Sequence, residues 1–222
     1  MVDPETGQAF LDYVERADDV PLVFATVTGD TTINAYWGPV SGRRWRLRST
    51  YGFDTEGSGT LTWNTELDWR QYVSVSQRTQ FVVRVFAGYA DGNAPGLYYL
   101  GGLDTLRAFD YRTILGDRAF AVNAEFRFPL VDAFIGPFWD FRGIRGRIFL
   151  DVGGAWLDYA GQEFEFWNSD ENRLENALSS YGWGLTVRFA GLDLNWDFAR
   201  QWDFKDGSEE GFRTSFWIGT RF

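Results

Sequence analysis

The chain contains no histidine and no cysteine, and those two absences decide most of the chemistry open to it. Imidazole is the one side chain that titrates unperturbed near neutral pH, so the usual general base is missing. Ser–His and Cys–His nucleophilic sites cannot be assembled. Zinc lacks its preferred nitrogen and sulfur ligands, and no disulfide can form. Carboxylates remain: Glu66 and Asp68 could in principle share acid–base work. Residues two apart on a strand lie on one face, however, where Arg70 is their more ordinary partner. The sequence therefore predicts no enzyme, no metal and no cofactor. Gly101–Gly102, Gly153–Gly154 and Gly182/Gly184 do not open a helix at phosphate-loop spacing; bends, bulges or close backbone approach are expected of them. A formal net charge of −10 argues against a nucleic-acid partner, which requires a basic field.

The segment that ends the sequence carries the clearest pattern. Phe212, Thr214, Phe216, Ile218, Thr220 and Phe222 alternate with Arg213, Ser215, Trp217, Gly219 and Arg221. Successive strand side chains point to opposite faces, so one face suits lipid and the other carries two cations that lipid would reject. The pattern is that of a bilayer-spanning strand, and its terminal Phe222 resembles the C-terminal signal that barrel assembly machinery reads in bacterial outer-membrane barrels. Composition agrees: 19% of the residues are aromatic and 11 are Trp, types that gather where an apolar medium meets water. Mean hydropathy is only −0.29, and no stretch approaches the roughly 18 apolar residues of a spanning helix. The hydrophobicity is distributed in alternation, as in barrels.

The expected fold is all-β, a transmembrane antiparallel β-barrel. Residues 1–20 read as a short helical or linker segment, with Asp3 as N-cap, Pro4 in the first turn and Phe10, Leu11 and Val14 on one side. Residues 21–222 read as the barrel, with strands near 21–30, 43–53, 59–75, 78–90, 118–129, 144–157, 180–190, 191–201 and 211–222. Bacterial single-chain barrels are even-numbered and the first segment is the weakest, so about eight strands are expected, within a range of eight to ten. Short links at 76–78 and near 190 and a moderate one at 131–143 interleave with long ones at 91–117, 157–180 and 202–211, the asymmetry of short periplasmic turns and long external loops. The acids of the long links read as solvated loop tips. Met1-Val2-Asp3 opens without a signal-peptide pattern, as at a mature boundary or in an excised domain.

Residues 100–130, LGGLDTLRAFDYRTILGDRAFAVNAEFRFPL, and 143–156, GIRGRIFLDVGGAW, resemble the barrel of the BamA/TamA-like surface-antigen superfamily of outer-membrane assembly factors. That family carries an Arg-Gly-Phe/Tyr tip on a long loop folded into the lumen and an F-x-D-x-G motif on a strand that receives it. The resemblance implies a tip at Leu106-Arg107-Ala108-Phe109 and a receiver at Phe149-x-Asp151-x-Gly153. Ala108 departs from the family's glycine. The chain has room for neither POTRA modules nor a 16-stranded barrel, so the likeness is to a half-length version or to the C-terminal barrel portion of a longer protein.

Physics independent of the resemblance favours the same contact. A guanidinium inside a barrel must be paired, and a bidentate carboxylate is its best partner. Arg107 is therefore expected to pair with Asp151, with Phe109 packed beside the bare backbone of Gly153. The alternative is a solvated Arg107, with Asp151 paired to Arg145 or Arg147. Glu125, Arg127, Arg145, Arg147, Glu66, Asp68 and Arg70, together with Arg44, Arg46, Arg48 and Arg84, form the expected lumen charge network. The implied function is non-enzymatic: a structural, anchoring or membrane-protein-assembly role in the Gram-negative outer membrane, with a small transport pore as the alternative. Expected partners are outer-membrane lipid, the barrel assembly machinery and a periplasmic partner or missing N-terminal domain, with a homodimer as a further option.

Overall fold

The computed structural model describes residues 21–35, 38–53, 60–131, 134–135, 140–141, 143–189, 192–206 and 211–219. The expected N-terminal helix and Phe222 lie outside these residues. Nine strands form one antiparallel meander in chain order. They are β1 (Leu22–Asp30), β2 (Gly38–Phe53), β3 (Thr60–Ser74), β4 (Gln80–Asp91), β5 (Arg118–Val131), β6 (Ile144–Trp156), β7 (Leu178–Phe189), β8 (Leu192–Gln201) and β9 (Arg213–Ile218). A short strand, Ile33–Ala35, pairs with the start of β2.

Alternation in the sequence becomes two-sidedness in the sheet, because the register aligns like with like across strands. One outward row runs Trp45, Trp69, Val85, Val122 and Val152. Outward rings also meet across strands, Trp183 stacking on Phe198 with centroids 4.1 Å apart and Trp63 meeting Tyr89 edge-on at 5.9 Å. Such cross-strand pairs are the unit of sheet stabilisation. The opposite face carries an unbroken polar row across eight strands: Asp30, Arg44, Arg70, Arg84, Asn123, Asp151, Ser180 and Gln201. Beside it lies Gly42, Tyr72, Val82, Glu125, Phe149, Gly182, Ala199 and Arg213.

Residues 92–117 fold over this inner face and include a small hairpin, Tyr98–Leu100 with Ile114–Gly116. Leu100 and Leu106 of this loop pack on Ala119 and Ala121 of β5, with Phe86, Phe109 and Ala155 around them. The apolar core therefore sits between loop and wall, inside a sheet whose outer face is also apolar.

Two expectations are corrected. About eight strands become, among the described residues, a ten-stranded sheet of nine meander strands and the short Ile33–Ala35, because the discounted first segment pairs with β2 over its whole length; its place is set by its neighbour and not by its own pattern. A closed barrel is also not what the described residues form, since no pairing joins β1 to β9. The odd count explains this: in an antiparallel meander the first and ninth strands run in the same direction and cannot pair antiparallel. Leu22 and Ile218 consequently stand at opposite ends of the wall.

Candidate functional site

The loop tip reaches the wall through a tight backbone turn. Gly101 and Gly102 have φ of +105° and +87°, and a Cβ on Gly101 would run into the Asp110 carbonyl, so glycine is required there. Thr105 Oγ1 accepts the Gly101 N–H at 2.8 Å, and Asn123 Nδ2 donates to the Thr105 carbonyl at 2.6 Å. The loop is thus tied to β5 just before its cation.

Arg107 is 2% exposed, and Asp151 and Glu125 are fully buried. Its Nε and Nη2 donate to the two oxygens of Asp151, each at 2.6 Å, while Nη1 donates to Glu125 Oε1 at 2.8 Å. Its backbone N–H also points at Asp151 Oδ2, at 3.2 Å. The guanidinium carbon lies 3.3 Å from the centroid of the Phe149 ring, a stacked cation–π arrangement. Asn123 Nδ2 donates to Asp151 Oδ1 at 2.8 Å, and Arg127 holds the other oxygen of Glu125 through Nε and Nη2 at 2.8 and 2.7 Å. Two guanidinia thus balance two carboxylates. Burial alone would depress the Arg107 pKa, but the charges of Asp151 and Glu125 outweigh it and hold it above its ordinary value.

Ala108 follows in the left-handed region, φ +70°, where an L side chain costs about 1–2 kcal/mol. Gln201 Nε2 of β8 donates to its carbonyl at 2.9 Å, and Arg213 of β9 pairs with Asp110 at 2.5 Å. The carbonyl of the strained residue and the carboxylate two positions beyond it are therefore held by the last two strands.

Phe109 packs with the Leu100–Leu106 cluster, which includes Ala121, the cross-strand partner of Gly153. A Cβ on Gly153 would meet the Phe120 carbonyl at 2.6 Å and Ala121, so Gly153 also serves the approach of β5. The glycine that makes room at the site is Gly182, whose Cβ would lie 2.7 Å from Phe149 Cζ. Nor does Arg147 serve Asp151: it donates to Asp197 Oδ1 at 2.7 Å and reaches Thr186 and Asn195.

The remaining network residues sit on the same inner rows. Asp68 receives both Arg70, at 2.9 Å, and Arg84, at 2.8 Å, and Arg84 also donates to the Asp104 carbonyl of the loop at 2.5 Å. Glu66 takes Arg46 at 3.2 Å in a more exposed pair. Arg145 lies opposite Thr186, where the β5–β6 register shifts. Among the described residues no cluster of acids has the makings of a metal site. Sequence reasoning missed Asn123 and Gln201; only cross-strand register, which links Asn123, Asp151, Ser180 and Gln201 in one row, would have revealed them.

An antiparallel wall with a greasy outer face and a loop pinned by buried charge to its inner face defines an outer-membrane β-barrel protein. The Omp85 superfamily domain matches residues 21–222, and the chain belongs to that superfamily, the kinship read from residues 100–130 and 143–156. Among solved structures, BamA from Haemophilus ducreyi, determined without POTRA domains 1–3, is similar at 14% identity with a TM-score of 0.62, over 89% of this chain and 42% of that one. This chain therefore spans less than half of that structure, and at such identity the likeness speaks for the fold. No curated protein matches the chain.

Proposed function

We propose that the chain is a wall segment of a Gram-negative outer-membrane barrel that fixes a long loop against its inner face, serving membrane-protein assembly or anchoring with no chemistry of its own. The observation that carries this reading is Arg107, fully enclosed and bidentate on Asp151. A loop placed so firmly is a structural part of the lumen and not a mobile external one. Its partners on this reading are outer-membrane lipid and the barrel assembly machinery, with Phe222 as the aromatic that machinery reads. A pore is the weaker reading, because the loop and its apolar core fill the inner face between β4 and β6.

The test is reconstitution in vesicles of phosphatidylcholine. The chain is expected to insert with a heat-modifiable gel mobility, to give no stable single-channel conductance, and to hydrolyse no acyl ester. Accelerated insertion of a second barrel protein, lost in Arg107→Ala at matched folded fraction, supports assembly; no acceleration supports anchoring. Stable conductance, or a chain that folds as a lipid-indifferent soluble monomer, overturns the proposal.

A further inference from the structure

The outward face of β4 to β6 changes character over three successive rows at the end where the long links leave it. Val85, Val122 and Val152 form an apolar row; Ala87, Phe120 and Gly154 come next, and then Tyr89, Arg118 and Trp156. Each step is two residues, about 7 Å along the strand. On β5 the outward positions from Phe128 to Phe120 carry no charge, and Arg118 is the first that does. Its guanidinium lies 3.9 Å from the Tyr89 ring and pairs with Asp158 at 2.9 Å. Hydrocarbon rejects such a pair and the interface tolerates it, so the boundary falls at the middle row.

That row is covered by a link and not by a strand. Phe164 stacks on Trp156 with centroids 4.3 Å apart and meets Phe120 edge-on at 5.8 Å. A Cβ on Gly154 would come within 2.9 Å of the Phe164 ring, so the bare backbone there makes the room the ring occupies. Phe166 lies 6.1 Å from the same Phe120 ring and is 47% exposed. The segment is held in place by its own return: the Phe166 and Glu165 carbonyls accept the N–H groups of Glu175 and Asn176 at 3.2 and 2.9 Å, and the Glu165 N–H donates to Asn176 Oδ1 at 2.8 Å. Glu163 and Glu165, which alternate with the two rings, are exposed. Rings and carboxylates side by side on a lipid-facing wall suit neither hydrocarbon nor bulk water; they suit the layer between.

We infer that residues 163–167 form a foot resting in the ester and headgroup layer of the bilayer, with Phe166 turned towards the acyl chains and Glu163 and Glu165 among the headgroups. The foot fixes where hydrocarbon ends on β5 and β6. Its occupant is lipid because the ring surface continues the outward apolar face of the wall without a break. This rests on the reading above that the sheet spans the bilayer, and goes further in assigning a lipid contact to a connecting link.

The absence of cysteine from the chain allows single labels. Phe166→Cys, Glu165→Cys, Asp170→Cys and Ile148→Cys, each carrying a nitrobenzoxadiazole label, are folded in phosphatidylcholine vesicles and checked by heat-modifiable mobility. The quenchers are phosphatidylcholine spin-labelled on its headgroup, near its ester carbonyls or near its acyl terminus, and iodide in the water. The label at position 166 should be quenched most by the ester-level spin label, and that at 165 by the headgroup one. Position 170 should respond to iodide alone, and position 148, in the middle of an outward strand face, to the acyl-terminal label. Iodide quenching at 165 and 166 as strong as at 170, with no lipid quenching, would overturn the inference. So would labels at 165 and 166 that no quencher reaches, the result expected of a protein partner or a second copy seated on this face. A label at 148 that no lipid spin label reaches would instead overturn the bilayer reading, and the inference with it.

Discussion

Removing Arg107 leaves two carboxylates enclosed, and their remaining partners set the cost. In Arg107→Ala, Asp151 loses two side-chain N–H donors and keeps the backbone N–H of residue 107 at 3.2 Å, Asn123 at 2.8 Å and Ser180 at 3.5 Å, while Glu125 keeps both bonds from Arg127. Breaking a buried ion pair from one side costs about 3–5 kcal/mol; with Glu125 still served, about 4 kcal/mol is expected. Asp151→Asn preserves shape and leaves Arg107 a charge partner in Glu125, so about 2–3 kcal/mol suffices. Once one member is gone, losing the other costs less, and the double change should fall short of the sum by about 2 kcal/mol. Urea titration of the vesicle-inserted chain, read as the fraction retaining heat-modifiable mobility, gives all three values from midpoints at constant slope. Single effects that simply add, to within about 0.5 kcal/mol, would refute the buried pairing.

Three further outcomes follow from neighbouring geometry. Gly182→Ala forces its Cβ against Phe149 Cζ and the Phe198 carbonyl and should cost about 1–3 kcal/mol in the same titration, with Phe149→Leu recovering part of the loss. Ala108→Gly releases a left-handed strain and should stabilise by about 0.5–1 kcal/mol, whereas Gln201→Ala, which strips the donor from the Ala108 carbonyl, should destabilise by about 1 kcal/mol; a destabilising Ala108→Gly would contradict the strain argument. Burial first, then the charge of Glu66, pushes the Tyr98 phenol up to about 12. An unfolded phenol titrates near 10, so its stabilising contribution is complete below about pH 10 and is lost as pH rises towards 12. Urea midpoints across that window should fall in the parent chain more than in Tyr98→Phe.

The strands were legible because lipid and a polar lumen impose a period of two on each segment. Leu61, Trp63, Thr65, Leu67 and Trp69 against Thr62, Asn64, Glu66, Asp68 and Arg70 locate β3 without reference to any other strand. β1 was undervalued because Leu22-Val23-Phe24 is apolar on both faces, and what makes it a strand is the edge of β2. At the site, the demand of a buried guanidinium for carboxylate could be read from residue types, and the structure brings Arg107, Asp151 and Glu125 together. Which glycine gives way to which ring could not. Gly153 and Gly182 both fall at inward positions of their own strands, two residues beyond Asp151 and Ser180, and only the cross-strand register sets Gly182 opposite Phe149.

The loop leaves β4, yet its tip is fastened to strands made much later. Arg107 is separated from Asp151 by 44 positions, Ala108 from Gln201 by 93 and Asp110 from Arg213 by 103. Contacts so distant along the chain are slow to form, because loop closure must be met before they contribute. While the later strands are still unplaced, the loop has only β4 and β5 to rest on, through Arg84, Asn123, Glu125 and the apolar cluster, and the guanidinium lacks Asp151. The connectivity thus makes fastening of the tip a late event: its bonds to Asp151, Gln201 and Arg213 need the strands that follow. A chain stalled after β5 should hold residues 106–110 less firmly and leave them more open to protease than the whole wall does.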